Sequence, residues 1–449
     1  MLKEYSSNYR NKSVGFVGMG VSNLPVIRLF LDAGAKCIVR DKNDPSGREF
    51  YSELIEKGVE FIVGEYYLDN IQEELLFLSP AVRPDLDGIV RAKNNGTRVT
   101  SEMEEFFRMC PCRTIAITGS DGKTTTTTLI SKLLEAQGFK VWLGGNIGIN
   151  LFATLDSISE KDFAVVELSS FQLMKLSQSP DIAVVTNVAP NHLDWHKDMQ
   201  EYVDAKKRIF AFQNEQSVLV LNEDDEYCRA FSKDGKGCVR TISGIGKTNY
   251  AAFDDKGIYF KNQLVVQDSD IKIVGKHNRY NYCEAYTAVC DYVSIETLKK
   301  VASEFGGVEH RIEFVRELDG VKYYNSSIDS SPSRTKACLE SFKDKVIAIS
   351  GGYDKNIPYA PLGELFVRKV KYAVLCGATA EKIAIELDKV GFTSYCIVSD
   401  FNSALELARE KAKIGDNVVL TPASASFDMF KNFAERGNRF KKIINSWRQ

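Results

Sequence analysis

The sequence predicts a doubly wound α/β protein with a parallel sheet in each domain. Short apolar runs rich in Val, Ile and Leu alternate with segments of helical length along the whole chain. Because open parallel sheets bind ligands beyond the carboxyl ends of their strands, we expect the chemistry at the ends of these runs. The runs are SVGFVGMG, AKCIVRD, LLFLSPAV, TIAITGS, FAVVELSS, IAVVTNVA, SVLVLNE, KVIAISGG, YAVLCGA and NVVLTPAS. Polar or glycine residues follow them at Gly18, Asp41, Ser79, Thr118, Glu167, Asn187, Gly351 and Thr421.

Length and composition favour an ordinary globular protein of two or three domains. The 449 residues are 44% hydrophobic, which is enough for a core in each domain. The formal net charge of −2 provides no general attraction to nucleic acid or to acidic membranes, so we expect small-molecule partners bound in pockets. No stretch approaches the roughly 18 apolar residues of a membrane helix, and the N-terminal segment lacks an apolar signal core. A cytoplasmic location is therefore expected.

The cysteines indicate neither a disulfide framework nor a zinc site. There are 10 of them, scattered along the chain, without any Cys-x-x-Cys pair. The closest pair, Cys110-Pro111-Cys112, has no second half that would complete a tetrahedral site. We interpret the cysteines as reduced core thiols.

The first run ends in a glycine turn, Gly18-Met19-Gly20-Val21-Ser22-Asn23, and Asp41 ends the next run. This spacing resembles a nucleotide fingerprint, in which glycines let the backbone approach phosphate and the acid accepts from a ribose or a base. Asn23 stands where the third fingerprint glycine belongs, so a phosphate-binding turn is favoured over a dinucleotide site. The alternative for Asp41 is a plain turn aspartate at a strand end.

The most informative run is Thr118-Gly119-Ser120-Asp121-Gly122-Lys123-Thr124-Thr125, between an apolar strand and a helix. Glycines at 119 and 122 allow backbone N–H groups to surround a polyphosphate, while Lys123 can reach the β and γ phosphates and Thr124 can hold Mg²⁺. The glycine that usually lies five residues before Gly122 is replaced by Ile117, so this is a shortened P-loop. The alternative is a glycine turn that binds no nucleotide.

Two further groups suit a magnesium site near this loop. Glu167 ends the run FAVVE, and a carboxylate there can complete a Mg²⁺ shell, although a solvated strand-end glutamate is the alternative. His192 follows the run IAVVTNVA; we interpret it as functional rather than as a structural histidine. Downstream, Lys206-Lys207-Arg208 is compatible with a basic helix face, and spacing alone does not decide which lysine points inward.

Three segments in the second half of the chain carry candidate ligand groups. GKHNRYN at 275–281, with His310-Arg311 downstream, contains amides and an arginine suited to adenine and phosphate contacts, the alternative for Asn278 being a helix cap. GGYDK at 351–355 and TPASASFDMFKNF at 421–433 follow strands and combine small hydroxyl residues with lysine. Such groups suit a carboxylate-bearing small molecule.

Together these motifs resemble, in order and spacing, the Mur ligase family over nearly the whole chain. They are TGSDGKTT, GGNIG, ELSSFQL, NHLD, GKHNRYN, HR, GGYDK and TPASASFDMFKNFAERG. The resemblance implies an ATP-dependent amide ligase that adds D-glutamate to UDP-N-acetylmuramoyl-L-alanine through an acyl phosphate, in peptidoglycan precursor synthesis. It also implies a monomer of three domains: a Rossmann-like UDP-sugar domain at 1–108, a central P-loop ATPase-type parallel sheet at 109–310, and a Rossmann-like amino-acid domain at 311–449.

The resemblance further implies a role for each matching residue. Lys123, His192 and Lys206 would be catalytic, and Lys206 would be carbamylated, because a carbamate supplies the oxygen donors that an ammonium lacks. One Mg²⁺ would lie at Thr124 and Glu167 and a second at His192 and Lys206. The implied ATP contacts are Gly119, Ser120, Asp121, Gly122, Lys123, Thr124, Thr125, Asn278, Asn281 and Arg311. The implied UDP-sugar contacts are Gly20, Val21, Ser22, Asp41 and Asn146, and those of D-glutamate are Lys355, Ser426 and Phe433.

The chain departs from the family pattern in three places. Asn325–Ser331 lacks the acidic residue and the lysine that many members have at 326 and 328, where Asp329 is a shifted substitute or part of a simple turn. Ser79-Pro80-Ala81 lacks the usual glycine, and the first turn ends in Asn23.

Three rival classes of protein fit the sequence less well. A folylpolyglutamate synthetase has its P-loop nearer the N-terminus, and a guanine-nucleotide switch needs an Asn-Lys-x-Asp motif that this sequence lacks. A dehydrogenase would leave the Gly-Lys-Thr motif unexplained.

Overall fold

A computed structural model describes residues 1–20, 22–244 and 250–448, which form three sheets. The strands divide into two compact units, the first made of residues 1–265 and 280–298 and the second of 266–279 and 299–449. In the described ranges, no helix is both long and apolar enough to cross a bilayer. The predicted α/β class with parallel-dominated sheets is confirmed.

The N-terminal sheet has five parallel strands in the order β3-β2-β1-β4-β5. The order reverses at β1, so the Gly18 turn lies at the switch point where such sheets bind ligands. The strands are β1 (Ser13–Val17), β2 (Lys36–Asp41), β3 (Glu60–Val63), β4 (Leu75–Leu78) and β5 (Arg98–Thr100). The helices are α1 (Leu2–Ser7), α2 (Asn23–Asp32), α3 (Tyr51–Glu56), α4 (Asp87–Asn94) and α5 (Glu102–Met109).

The second sheet has nine strands in the order β14-β13-β12-β11-β10-β9-β6-β8-β7. Its strands are β6 (Arg113–Thr118), β7 (Val141–Gly145), β8 (Phe163–Glu167), β9 (Ile182–Val185), β10 (Val218–Asn222), β11 (Cys238–Ser243), β12 (Ala251–Asp254), β13 (Gly257–Phe260) and β14 (Gln263–Gln267). The helices are α6 (Lys123–Gln137), α7 (Ser170–Leu173), α8 (Met199–Ala211), α9 (Glu226–Phe231), α10 (Lys276–Val289) and α11 (Ile295–Glu304). Because β6 lies between β8 and β9, the loops that follow these three strands are neighbours.

One apolar cluster joins the first two sheets into a single unit. Phe16 and Phe77 stack with ring centroids 5.5 Å apart, and Phe77 lies 6.2 Å from Phe152, in the 3₁₀ helix Phe152–Ser157. Tyr5 packs edge-on against the same ring. The predicted boundary at residue 108 therefore falls inside a compact unit and stays a prediction.

The third sheet has six strands in the order β15-β16-β20-β17-β18-β19. It is parallel apart from the β15–β16 hairpin. The strands are β15 (Glu313–Leu318), β16 (Val321–Asn325), β17 (Val346–Ser350), β18 (Val370–Cys376), β19 (Tyr395–Val398) and β20 (Asn417–Leu420). The helices are α12 (Pro332–Glu340), α13 (Leu362–Lys369), α14 (Ala380–Lys389), α15 (Phe401–Lys411) and α16 (Phe433–Ser446). Helices cover both faces, with a separate apolar cluster on each.

Candidate active site

The P-loop has the backbone shape that its glycines predict. Gly119 and Gly122 have φ values of +155° and +79°, and a Cβ at Gly119 would lie 1.8 Å from Thr186 Oγ1. A side chain at either position is therefore excluded by strain or by contact. Lys123 is the first residue of α6, and its Nζ donates to the carbonyls of Gly119 at 2.8 Å and Ser120 at 2.9 Å. The lysine thus folds back over the loop in which a polyphosphate would lie.

The loop after β9 holds the P-loop in place. Ser120 N donates to Asn187 O at 2.9 Å, and Asp121 N donates to Asn187 Oδ1 at 2.9 Å. Thr186 Oγ1 donates to Asp121 O at 2.6 Å. Ser120 Oγ donates to Ala189 O at 2.8 Å and contacts Tyr202 Oη at 3.0 Å. The Ser120 hydroxyl is therefore engaged in structure, so we expect its contribution to a nucleotide to come from its backbone.

Thr124 and Thr125 open α6 beside the lysine, and both are partly exposed. Behind them, Thr126 Oγ1 donates to Glu284 Oε2 at 3.0 Å and to Asn281 Oδ1 at 3.2 Å. A Cβ at Gly122 would lie 2.6 Å from that Asn281 oxygen. Asn281 is thus placed against the P-loop, as its predicted ATP role requires.

Glu167 lies at the carboxyl end of β8, in register with Ile117 of β6. Its Oε1 accepts from Asn146 Nδ2 at 2.8 Å, while its Oε2 is buried without a hydrogen-bond partner. The side chain is 1% exposed. A buried carboxylate oxygen without a donor is costly unless a ligand or ion completes it, and Mg²⁺ is a suitable ion. Glu167 thus fits the predicted metal site, and Asn146 orients it.

Lys206 is the inward lysine of the basic run. Its side chain on α8 is 1% exposed, with Nζ 4.6 Å from the centre of the Tyr202 ring, and it forms no ion pair with any residue in the described ranges. Burial lowers the pKa of Lys206 well below its usual value, and the charge of Lys123 lowers it further. Lys207, by contrast, is partly exposed and pairs with Asp234 at 2.7 Å. Burial therefore favours the neutral form of the Lys206 amine.

The two histidines of this region have different environments. His192 is exposed at φ +55°, with its ring 5.0 Å from that of Phe171. His196 is buried, and its Nε2 lies 2.9 Å from Ser170 Oγ while its Nδ1 lies 3.3 Å from Glu201 Oε2. Burial lowers the pKa of His196. His192 thus has the solvent access that a ligand needs, whereas His196 is part of the scaffold.

Arg83 is a site-supporting residue that the sequence did not single out. It donates to Glu201 at 2.7 and 3.1 Å, to Asp85 and to the Trp195 carbonyl, and it lies 4.8 Å from the Trp195 ring centre. The hydrogen bond from Arg83 lowers the pKa of Glu201 to about 2. Arg83 follows β4, so this bidentate pair ties the N-terminal sheet to the first turn of α8.

No group of three or more His, Cys, Asp or Glu side chains within the described residues could hold a metal ion. Mg²⁺ at nucleotide sites usually takes most of its ligands from substrate phosphates and water, so that a few protein oxygens are enough. The free oxygen of Glu167 and the hydroxyl of Thr124 fit one such ion. The second predicted ion fits only if Lys206 carries an oxygen-donor modification.

In the first turn, Asp41 has a structural role that the sequence left open. Its Oδ2 accepts from Met19 N at 2.7 Å and its Oδ1 accepts from Asn43 N at 2.9 Å. Asn23, in the third fingerprint position, is fully buried and donates to Gly18 O at 2.9 Å. The Asn23 side-chain amide therefore stabilises the turn through this hydrogen bond. A glycine at this position would instead let the helix approach the turn closely.

Of the other residues predicted to contact the UDP-sugar in this turn, the structure describes Gly20 and Ser22. Gly20 is exposed, and a Cβ there would meet no atom within 4 Å. Ser22 precedes α2, and its carbonyl accepts from Asn150 at 2.9 Å. Val21 lies outside the described residues.

The second unit contains Asn278 and Arg311. Asn278 is the third residue of α10, and its Nδ2 donates to Val274 O at 2.6 Å, so the helix-cap alternative is wrong. Arg311 is exposed, and its N donates to Val308 O at 2.9 Å.

Arg436 organises the predicted amino-acid site, again without having been predicted. It is 1% exposed on α16 and donates to the carbonyls of Ala425, Ser327 and Ser424 and to Ser327 Oγ, at 2.9 to 3.1 Å. Burial lowers the pKa of Arg436 to about 10. One guanidinium therefore joins the loop after β16 to the loop after β20.

The three residues predicted to contact D-glutamate lie around these loops. Ser426 is 2% exposed, and its carbonyl accepts from the N–H groups of residues 429 and 430. Phe433 is 40% exposed at the start of α16, and its carbonyl accepts from Ser327 Oγ at 2.7 Å. Lys355 is exposed, with its Nζ 5.8 Å from the Phe427 ring centre.

The atypical segment 325–331 is built around a buried acid. Asp329 accepts from Thr421 Oγ1 at 3.0 Å, and burial raises the pKa of Asp329 to about 6. Ser331 precedes α12, with Pro332 as its first residue. The buried Asp329 therefore links the segment after β16 to the segment after β20. The Ser-Ser-Pro-Ser run begins helix α12.

Comparisons with known proteins establish the family of the chain. Residues 117–289 match the Mur ligase middle domain, and residues 310–424 match the Mur ligase, glutamate ligase domain. The chain therefore belongs to the Mur ligase family. It is 48% identical to a protein of Clostridium beijerinckii, covering 99% of this chain and 98% of that one, and 48% identical to one of Acetivibrio thermocellus, covering 99% and 98%. Both relatives are named UDP-N-acetylmuramoylalanine–D-glutamate ligase.

Solved structures show the same fold at much lower identity. The UDP-N-acetylmuramate-alanine ligase of Thermotoga maritima has a TM-score of 0.55 at 17% identity, covering 97% of this chain and 99% of that one. A UDP-N-acetylmuramoyl-L-alanyl-D-glutamate–2,6-diaminopimelate ligase has a TM-score of 0.56 at 18% identity, covering 92% and 87%. The chain thus shares its fold with these two ligases.

Proposed function

We propose that this chain is an ATP-dependent amide ligase that joins D-glutamate to UDP-N-acetylmuramoyl-L-alanine in the synthesis of a peptidoglycan precursor. The observation that carries the reaction type is a P-loop lying beside Glu167, whose Oε2 is buried without a partner on the neighbouring strand. The names of full-length relatives support the choice of substrates. The rival classes each account for only part of this site.

For ATP and magnesium, we assign the backbone of residues 119–125 and the Lys123 ammonium to the phosphates. Thr124 and Glu167 would hold one Mg²⁺, which when bound supplies positive charge to crowded phosphate oxygens. Asn281, placed against Gly122, would contact ATP together with Asn278 and Arg311. The support for these roles is the loop conformation and the position of Asn281.

For a second Mg²⁺, we assign Lys206 and His192. A neutral amine reacts with carbon dioxide: its nitrogen bonds to the carbon and loses a proton, which leaves a carbamate with two oxygen donors. The burial of Lys206 and its lack of an ion pair among the described residues favour the neutral amine that this reaction needs. His192, exposed on the adjoining turn, would organise the same ion.

The substrate-binding residues are assigned from the resemblance to the family. Gly20, Val21, Ser22, Asp41 and Asn146 are assigned to the UDP-sugar, and Lys355, Ser426 and Phe433 to D-glutamate. We keep 1–108, 109–310 and 311–449 as the three functional regions, and we expect the protein to act as a monomer in the cytoplasm.

The mechanism follows from charge. A carboxylate is a poor electrophile, so its oxygen must first take the terminal phosphoryl group of ATP to give an acyl phosphate. Lys123 at the loop neutralises charge that develops on the transferred group, a kind of contribution worth about 3 kcal/mol per well-placed donor. The amine of D-glutamate then attacks the acyl carbon, and the tetrahedral intermediate collapses to amide and phosphate. Lys355, as an exposed cation of the amino-acid region, would orient the incoming carboxylates.

The test is ADP release by the purified chain with Mg²⁺. We expect release to require both UDP-N-acetylmuramoyl-L-alanine and D-glutamate, with one amide formed per ADP. A panel of D- and L-amino acids then measures selectivity. Release of ADP that is independent of either cosubstrate, or no release with all of them present, contradicts the proposal.

A further inference from the structure

Cys110 and Cys112 bring two sulfur atoms into contact in the short connection between α5 and β6. Their Sγ atoms lie 3.5 Å apart, and Cys110 Sγ also lies 3.7 Å from the Cys112 carbonyl. Side chains two positions apart in an extended segment point to the same side, and Pro111 fixes the backbone between them. The pair is therefore preorganised by local geometry.

The two thiols differ in access and in ionisation. Cys110 is partly exposed, whereas Cys112 is 6% exposed within the apolar cluster of its unit. The hydrogen bond with Cys112 lowers the pKa of Cys110, and that same contact together with burial raises the pKa of Cys112. Cys110 is thus the group that a solvent reagent meets first, and Cys112 lies behind it.

Neither thiol is explained by the ligase chemistry or by a metal. In the described ranges no third His, Cys, Asp or Glu joins the two sulfurs in a cluster that could bind an ion. Core packing would account for Cys112 alone, but it does not require a second, partly exposed sulfur in contact with it. A dithiol of this geometry is suited to thiol–disulfide exchange.

We propose that Cys110 and Cys112 form a redox-active dithiol that low-molecular-weight disulfides oxidise reversibly to an intramolecular disulfide. The Cys110 thiolate attacks one sulfur of the small disulfide, its S–S bond breaks, and one small thiolate leaves. Cys112 then loses its proton and attacks Cys110 Sγ, which releases the second small thiol. Two protein thiols are oxidised by two electrons and one small disulfide is reduced to two thiols, so atoms and electrons balance. Such short-range, accessible disulfides are the labile kind found in reducing compartments.

The test uses oxidised glutathione on the full chain, followed by acid quench, alkylation under denaturing conditions and trypsin. Cleavage after Arg108 and Arg113 places both cysteines in one pentapeptide, Met109–Arg113. We expect the wild-type pentapeptide to become two hydrogen atoms lighter and to carry neither alkyl groups nor glutathione. Dithiothreitol added before the quench should restore two alkylated cysteines.

Two variants distinguish the roles of the thiols. Cys112→Ser should trap one glutathione on Cys110, because the resolving thiol is gone, and Cys110→Ser should leave Cys112 unmodified. The exposed Cys238 serves as an internal reference for the formation of a mixed disulfide with glutathione. Stable glutathione on the wild-type pentapeptide, or two free thiols when Cys238 is fully modified, overturns the proposal.

Discussion

Replacing Lys206 by methionine should stabilise the folded protein while abolishing its activity. The lysine is 1% exposed without an ion pair among the described residues, and burial lowers its pKa well below the usual value. Because burial disfavours the protonated form, the unfolded chain holds the Lys206 proton more tightly than the folded chain, so Lys206 destabilises the native state below the ordinary lysine pKa of about 10.4. Methionine has a similar length and no group that binds a proton, so it avoids this penalty. The variant should therefore unfold at a higher urea concentration near neutral pH.

The stability gain of Lys206→Met depends on pH, because proton binding by this lysine is linked to folding. For a lysine whose folded pKa is depressed, the penalty is full below the folded pKa and vanishes as pH rises towards the unfolded one. Between these two pKa values the stability advantage of Lys206→Met should shrink by about 1.4 kcal/mol per pH unit. Urea unfolding at pH 7, 8, 9 and 10 in buffers free of carbon dioxide measures the change.

Lys207→Met is the matched control, because that neighbour is partly exposed and paired with Asp234. It should give no stability gain near neutral pH, and ligase turnover should survive in Lys207→Met but not in Lys206→Met. A stability difference for Lys206→Met that stays constant from pH 7 to 10 would refute the claim that burial lowers the pKa of this amine.

Three further outcomes follow from the site. Glu167→Gln should reduce kcat by roughly 10²- to 10³-fold, because the amide loses the charge that the carboxylate offers to Mg²⁺. The unfolding midpoint should be almost unchanged, because the amide keeps an oxygen that accepts from Asn146. A normal kcat at limiting Mg²⁺ contradicts this role. Arg436→Met should lower the free energy of unfolding by about 3 to 5 kcal/mol, because it leaves buried carbonyls without donors. The control Arg439→Met, at an exposed position, should change the free energy of unfolding by no more than about 0.5 kcal/mol. The stabilisation from the Arg83–Glu201 pair should be constant above about pH 5, because the pKa of Glu201 is lowered to about 2, and should be lost as pH falls from about 4 towards 2. Comparing the acid unfolding of wild type and Arg83→Met checks this, and a difference that persists unchanged at pH 2 rules it out.

The sequence was a good guide to the interior of each sheet. Each of the ten apolar runs contains a strand, and the P-loop, Glu167 and Asn187 lie at strand ends as predicted. Strands at and near the edges of the sheets were not predicted: β12 and β13 form an antiparallel hairpin at 251–260 next to the edge strand β14, and the edge strand β15 pairs with β16 across a two-residue turn. Buried parallel strands are continuous apolar runs, whereas edge strands are short and half polar, so they lack that signal.

The site was predictable where its chemistry is local and not where it depends on packing. The conformation of Gly119 and Gly122 follows from residue type, because only glycine adopts it without strain. The choice of Lys206 over Lys207 depends on which face of α8 packs inward, and Ser120 meets Tyr202 across 82 positions of sequence. Arg83 and Arg436 gave no motif signal, because arginines that bind backbone carbonyls or a single distant glutamate have no fixed spacing.

The segment from Thr186 to Lys206 connects these separate features through direct contacts. Its first residues bind the P-loop backbone, the Tyr202 hydroxyl contacts Ser120, and the lysine one turn later is the buried amine beside that tyrosine ring. Any shift of α8 along its axis would therefore change the position of Lys206 and loosen Ser120 at the same time. Since Arg83 fixes Glu201 in the first turn of that helix, the N-terminal sheet helps to determine the geometry at the phosphate loop. Arg83→Met should accordingly raise the KM for ATP, although Arg83 itself is not assigned to the nucleotide.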